Sequence, residues 1–127
     1  MPFTPADSQI FSSLFGEPEL APIFSDEGFI RRLLEVEGNL ARVEGRLGVI
    51  PAEAGEAIAA ALSTTGIRQV DMERLRAGVE QDGFPVIELV HQLRQIVGKP
   101  ASDYVHYGAT TQDILDTALV LQIRAAL

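Results

Sequence analysis

Between Ser25 and Gly48 the apolar residues Phe29, Leu33, Val36, Leu40, Val43 and Leu47 recur at intervals of 4, 3, 4, 3 and 4. That spacing places all six on one stripe of an α-helix. Ser25 suits the N-cap, Asp26 and Glu27 suit the positive end of the helix dipole, and Gly48 suits the residue just past the C-terminus. Most of the charged residues (Arg31, Arg32, Glu35, Glu37, Arg42, Glu44, Arg46) fall off the stripe. Gly38 and Gly45 are unusual inside such a segment, each costing about 1 kcal/mol relative to alanine. They lie seven residues apart and share a face. This predicts close backbone packing against another helix.

The remaining segments read the same way. Residues 1 to 24 are broken by Pro2, Pro5, Pro18 and Pro22, with one helical turn expected at Ile10, Phe11, Leu14 and Phe15. Such a terminus is expected to wrap over the main body through its apolar residues. Pro51 suits a first helical residue, and an alanine-rich helix is expected through Leu62, ending at Ser63-Thr64-Thr65-Gly66. Asp71 caps a third helix from Met72 to about Val79, and Gln81-Asp82-Gly83-Phe84 turns the chain. Pro85 opens a fourth, with Val86, Ile87, Leu89, Val90, Leu93, Ile96 and Val97 apolar and Glu88, His91, Gln92 and Gln95 on its polar face. Gly98-Lys99-Pro100 stops it. No strand-like alternation and no internal repeat is present, so the fold class is all-α.

The last helix begins near Thr111 and is apolar nearly all round, through Ile114, Leu115, Ala118, Leu119, Val120, Leu121 and Ile123 to Leu127. A helix of this kind belongs inside a larger bundle. It carries no stop signal, so the chain is expected to be a fragment of something longer or to assemble with partners that cover this helix. The 127 residues amount to about one domain and are 46% apolar and 22% charged, which argues against disorder. Without cysteine there is no disulfide or thiolate metal site, and a reducing compartment fits. No basic-then-apolar leader and no uncharged apolar run of about 18 residues is seen, so a cytoplasmic protein without a membrane span is expected. A net charge of −8 with scattered basic residues disfavours nucleic acid as a partner.

Chemically capable side chains concentrate in Tyr104-Val105-His106-Tyr107-Gly108-Ala109-Thr110-Thr111-Gln112-Asp113-Ile114-Leu115-Asp116-Thr117. His106 is a candidate acid, base or anion donor, because imidazole titrates near neutrality. His91, on the polar face of an ordinary helix, reads as solvated. Thr110 and Thr111 stand where a helix starts. One of them has to cap it, and Thr110 with Asp113 resembles a capping box. Two adjacent hydroxyls followed by Gln112, beside unpaired N–H groups, also suit a carboxylate ligand. Asp113 and Asp116 serve the dipole on the simplest reading. Two carboxylates and one histidine at these spacings make a poor metal site, so no metal is expected.

The ordered run from Val105 to Ala118 resembles the first shared sequence region of the fumarase/aspartase superfamily. Phe24-Ser25-Asp26-Glu27, Leu34-Glu35-Val36-Glu37 and Leu47-Gly48-Val49-Ile50-Pro51 resemble the same superfamily's N-terminal domain, so the resemblance covers most of residues 10 to 127. Gly108-Ala109-Thr110-Thr111-Gln112-Asp113 and the turn Asp82-Gly83-Phe84-Pro85-Val86-Ile87 are more similar to its cycloisomerases than to its adenylosuccinate lyases. Thr111 replaces a commoner serine and keeps the hydroxyl, while Phe84 replaces asparagine. The resemblance implies an N-terminal helical domain over residues 1 to 109 and the start of a long central-bundle helix over 110 to 127. It implies cofactor-free lactonisation of 3-carboxy-cis,cis-muconate to 4-carboxymuconolactone in aromatic catabolism, by a homotetramer whose sites combine subunits. Thr110 and Thr111 would hold a substrate carboxylate, His106 would contribute to catalysis without completing it, and Gln112 and Asp113 would order the site. The superfamily's later Thr-His segment and glycine-serine loop are absent, so the chain alone is expected to be inactive. A lyase-type β-elimination enzyme and a stand-alone helical dimerisation module are the alternatives.

Overall fold

The computed structural model describes residues 4–64 and 66–127. It contains α1 (Ser12–Phe15), α2 (Asp26–Leu47), α3 (Ala52–Thr64), α4 (Met72–Asp82), α5 (Val86–Val97) and α6 (Thr111–Ala126), with 3-10 turns at Pro5–Asp7, Gly66–Gln69 and Ala101–Tyr104. Among the described residues no strand occurs. Of the expected stop after α3, Thr65 lies outside the described residues, as do Met1, Pro2 and Phe3 of the N-terminal tail.

The helices start and stop where local chemistry dictates. The Ser25 hydroxyl accepts from the Gly28 N–H at 3.0 Å, and the Asp71 carboxylate accepts from the Arg74 N–H at 3.1 Å. Gly48 and Gly83 close α2 and α4 at φ +73° and +84°, a conformation that favours glycine. Helix α4 runs one turn further than the expected end at Val79, because its stop is Gly83.

Helix α2 packs along α3, and α6 lies against α2. The α2–α3 contact is backbone-close. A β-carbon on Gly45 would lie 3.3 Å from the Gly55 Cα, and one on Gly55 only 2.5 Å from the Ala41 carbonyl oxygen. The glycine face is therefore the buried one. Ile30, Leu33, Leu34, Glu37, Gly38, Ala41 and Gly45 are all buried, whereas Val43 and Leu47 of the expected stripe are exposed. The stripe is rotated from its expected position because α3 selects small residues for close approach, and small residues carry little weight in an apolar periodicity. Around this seam Ile58, Val86, Leu89, Leu93, Val105 and Ile114 complete the core.

Two further expectations are corrected. Gln92, assigned to the polar face of α5, is buried, its amide accepting from the Asp71 N–H (2.7 Å) and donating to the Asp71 carbonyl (3.1 Å). It thereby ties α5 to the N-cap of α4. The N-terminal segment leaves its apolar side chains open, Ile10 being 79% exposed and Leu14 75%. Helix α6 buries Ile114, Ala118 and Gln122 and leaves Leu119, Val120 (62%) and Ile123 exposed. Gln122 donates to the Ile23 carbonyl at 2.7 Å and pins α6 to the segment before α2.

Candidate active site at the start of the last helix

After the turn at Ala101–Tyr104 the chain is anchored by Val105, which is buried and whose carbonyl accepts from the Arg94 guanidinium at 3.4 Å. It then bends through two left-handed residues, His106 at φ +62° and Gly108 at φ +68°. Glycine adopts this conformation freely, whereas histidine does so at some cost. The bend delivers the chain to Thr110, the N-cap of α6.

The bend points the imidazole of His106 back into the protein. Its Nδ1 lies 2.6 Å from Oε1 of Glu37, more than half the chain away in sequence and only 1% exposed. The histidine side chain keeps 16% exposure, so it is not sealed from the surface. Glu44, two turns further along α2, faces the same loop: a β-carbon on Gly108 would lie 3.7 Å from its Oε1. Among the described residues Oε2 of Glu37 and Oε2 of Glu44 are buried without a hydrogen-bond partner. Burial, reinforced by the nearby Glu37 carboxylate and partly opposed by His106, pushes the Glu44 carboxyl above its usual range.

At the helix start the two threonines separate in role. The Asp113 carboxylate accepts from the Thr110 N–H (2.8 Å) and hydroxyl (3.0 Å), so Thr110 and Asp113 cap α6. Those bonds, backbone first, hold the Asp113 carboxyl below its ordinary range, helped by the charge of His106. The Thr111 hydroxyl, half-buried in the first turn, has no hydrogen-bond partner among the described residues. Gln112 is exposed and donates to Asp116 at 2.5 Å, and the Thr117 hydroxyl donates to the Asp113 carbonyl at 2.6 Å. His106, Thr110 and Asp113 thus stand together, Thr111 is open beside them, and Gln112 turns outward along the helix. A separate groove of about 520 Å³ between α2 and α3 holds Arg31, Arg32 and Arg42 and is lined by none of these site residues. Its arginines contact Glu27, Glu35 and Glu56.

The sequence reading missed Glu37 and Glu44 by placing them off the apolar stripe. A signal was present: Ile30, Leu34, Glu37, Ala41 and Gly45 follow one another at 4, 3, 4 and 4, so Glu37 interrupts an otherwise small and apolar face.

No protein-family model matches the chain. A 3-carboxy-cis,cis-muconate cycloisomerase of Acinetobacter baylyi is 41% identical over 123 residues, which is 94% of this chain and 27% of that protein. The solved structure of beta-carboxy-cis,cis-muconate cycloisomerase from Acinetobacter calcoaceticus matches with a TM-score of 0.87 at 40% identity, over 93% of this chain and 28% of that one. The chain carries the N-terminal helical fold of the fumarase/aspartase superfamily. Another solved structure, a fumarate lyase from Mesorhizobium, is 47% identical with a TM-score of 0.80, covering 87% of this chain and 25% of that one. The chain therefore spans about a quarter of the length of the superfamily proteins it matches.

Proposed function

We propose that this chain forms one wall of the carboxylate-binding site of a cycloisomerase that closes 3-carboxy-cis,cis-muconate to 4-carboxymuconolactone. The supporting observation is the arrangement at the start of α6, where His106 is held by Glu37 beside a helix N-terminus whose second threonine has no hydroxyl partner among the described residues. Thr110 and Asp113 keep that N-terminus in shape, Thr111 and first-turn N–H groups take a substrate carboxylate, and Gln112 borders it. In the reaction a carboxylate oxygen adds across a carbon–carbon double bond, and a proton is delivered to the neighbouring carbon. His106 contributes as an acid/base group at the edge of this site, taking up and releasing a proton through the ring nitrogen not held by Glu37. The remaining acid/base groups lie outside this chain. The reading extends to a cytoplasmic homotetramer acting on a small polycarboxylate, with residues 1 to 109 as a helical domain and 110 to 127 as the start of a central bundle helix.

The test is a chimera in which residues 4 to 127 replace the matching region of the Acinetobacter baylyi cycloisomerase. An assembled chimera is expected to lactonise 3-carboxy-cis,cis-muconate and to leave adenylosuccinate untouched. Within it, Thr111→Val is expected to raise KM about tenfold, the loss of one hydrogen bond to a charged group. A correctly assembled chimera that cleaves adenylosuccinate, or that lactonises equally well with the valine, overturns the reading.

A further inference from the structure

We propose that Glu37 is a positioning residue that fixes His106 as its Nδ1–H tautomer and leaves Nε2 as the proton-accepting atom. The two side chains come from α2 and from the loop before α6, and no sequence neighbour forces them together. Nδ1 and Oε1 are 2.6 Å apart, shorter than the roughly 2.7–2.9 Å usual for a charge-assisted N–H···O bond. An ionised carboxylate can only accept, so the proton between them sits on Nδ1. The carboxylate is 1% exposed and the ring only partly so, which shields the bond from competing water. The loop adopts a left-handed backbone at a non-glycine residue while making this contact, which indicates that the surrounding fold over-determines it. Nε2 is the other ring nitrogen, so holding Nδ1 on Glu37 decides which atom is left for a ligand. The catalytic meaning of this arrangement rests on the carboxylate-site reading above; the tautomer itself does not.

The chain contains two histidines, and the exposed His91 serves as an internal reference. Long-range proton–nitrogen correlation spectra of the 127-residue chain, recorded at about pH 8.5 where a histidine of ordinary pKa is neutral, read the two ring nitrogens separately. The expected result is a protonated-type Nδ1 and an unprotonated-type Nε2 for His106, and a mixture dominated by Nε2–H for His91. Glu37→Leu, with its helical content checked by circular dichroism, is expected to move His106 to the pattern of His91. Should that variant fail to fold, Glu37→Gln decides. The neutral amide is a weaker acceptor, and at least a measurable loss of Nδ1–H population is expected. A wild-type His106 carrying its proton on Nε2 overturns the proposal, because Glu37 would then be the protonated partner. A His106 spectrum unchanged in the folded variant overturns it equally. Neither outcome depends on cycloisomerase activity, so failure here and failure of the chimera are separate results.

Discussion

Glu44 and Asp113 both feel His106, yet their carboxyls are displaced in opposite directions. Glu44 is raised chiefly by burial, so the native state binds its proton more tightly than the unfolded chain does. Linkage then gives stability that is highest below the ordinary carboxylate pKa and lost as pH rises towards the elevated one. Glu44→Gln is therefore expected to raise the thermal midpoint near neutral pH and to lose that advantage in acid, measured as melting curves across a pH series. Asp113 runs the other way. Its lowered carboxyl contributes stability above the ordinary pKa, which disappears as pH falls through the lowered value. Asp113→Asn is expected to lower helicity slightly at neutral pH and to match the parent in strong acid, followed by circular dichroism. At this scale the sequence was legible where interactions are local. The Thr110–Asp113 cap spans three residues and could be read directly, whereas the Glu37–His106 contact spans sixty-nine. Nothing in the residues around Glu37 announces a partner that distant.

Among elements, the seam between α2 and α3 depends on having no side chain at particular positions. Gly55→Ala would press a methyl group against the Ala41 carbonyl and the Gly45 Cα. The expected loss is about 1–3 kcal/mol, more than the roughly 1 kcal/mol gained in helix propensity. Gly38→Ala meets Ala59 and Leu62 at ordinary contact distance, 3.7 Å. It is expected to be neutral or to gain up to about 1 kcal/mol. Urea unfolding of the two variants should move the midpoint in opposite directions or, at the least, only for Gly55. Gln92→Leu leaves the Asp71 N–H without its partner in a part-buried seam, while the Asp71 carbonyl keeps only the Leu75 N–H. A cost of about 1–3 kcal/mol is expected, read from the same urea midpoints. The existence and order of the main helices were legible because Ser25, Asp71, Thr110, Gly48, Gly83 and Gly98 are strong punctuation. Which face of α2 is buried was not, because glycine and alanine win a seam through closeness rather than through hydrophobicity.

For the whole molecule, the exposed row on α6 and the open N-terminal side chains are more apolar surface than one chain of this size needs to show. Leu119, Val120 and Ile123 share that outer side, while the net charge is −8. Self-association through α6 is expected, and sedimentation should show an average mass that rises with protein concentration. Leu119→Glu combined with Val120→Glu should suppress that rise without loss of helical content. The 127-residue chain alone is expected to show no lactonisation of 3-carboxy-cis,cis-muconate in a direct absorbance assay, and clear turnover would contradict the incomplete-site reading. The resemblance to the superfamily's first sequence region pointed to the candidate site, whereas α6 shows only an uncovered face and nothing of what covers it.

The left-handed backbone at His106 bears on how that residue should be probed. An alanine there keeps a β-carbon in a conformation costing about 1 kcal/mol or more and removes the ring, so two effects are mixed in one number. A glycine relieves the backbone while loosening the loop that carries the threonines. Asparagine is at home in this conformation and has no titrating ring. It is the substitution that separates what the imidazole does from what the chain's path requires.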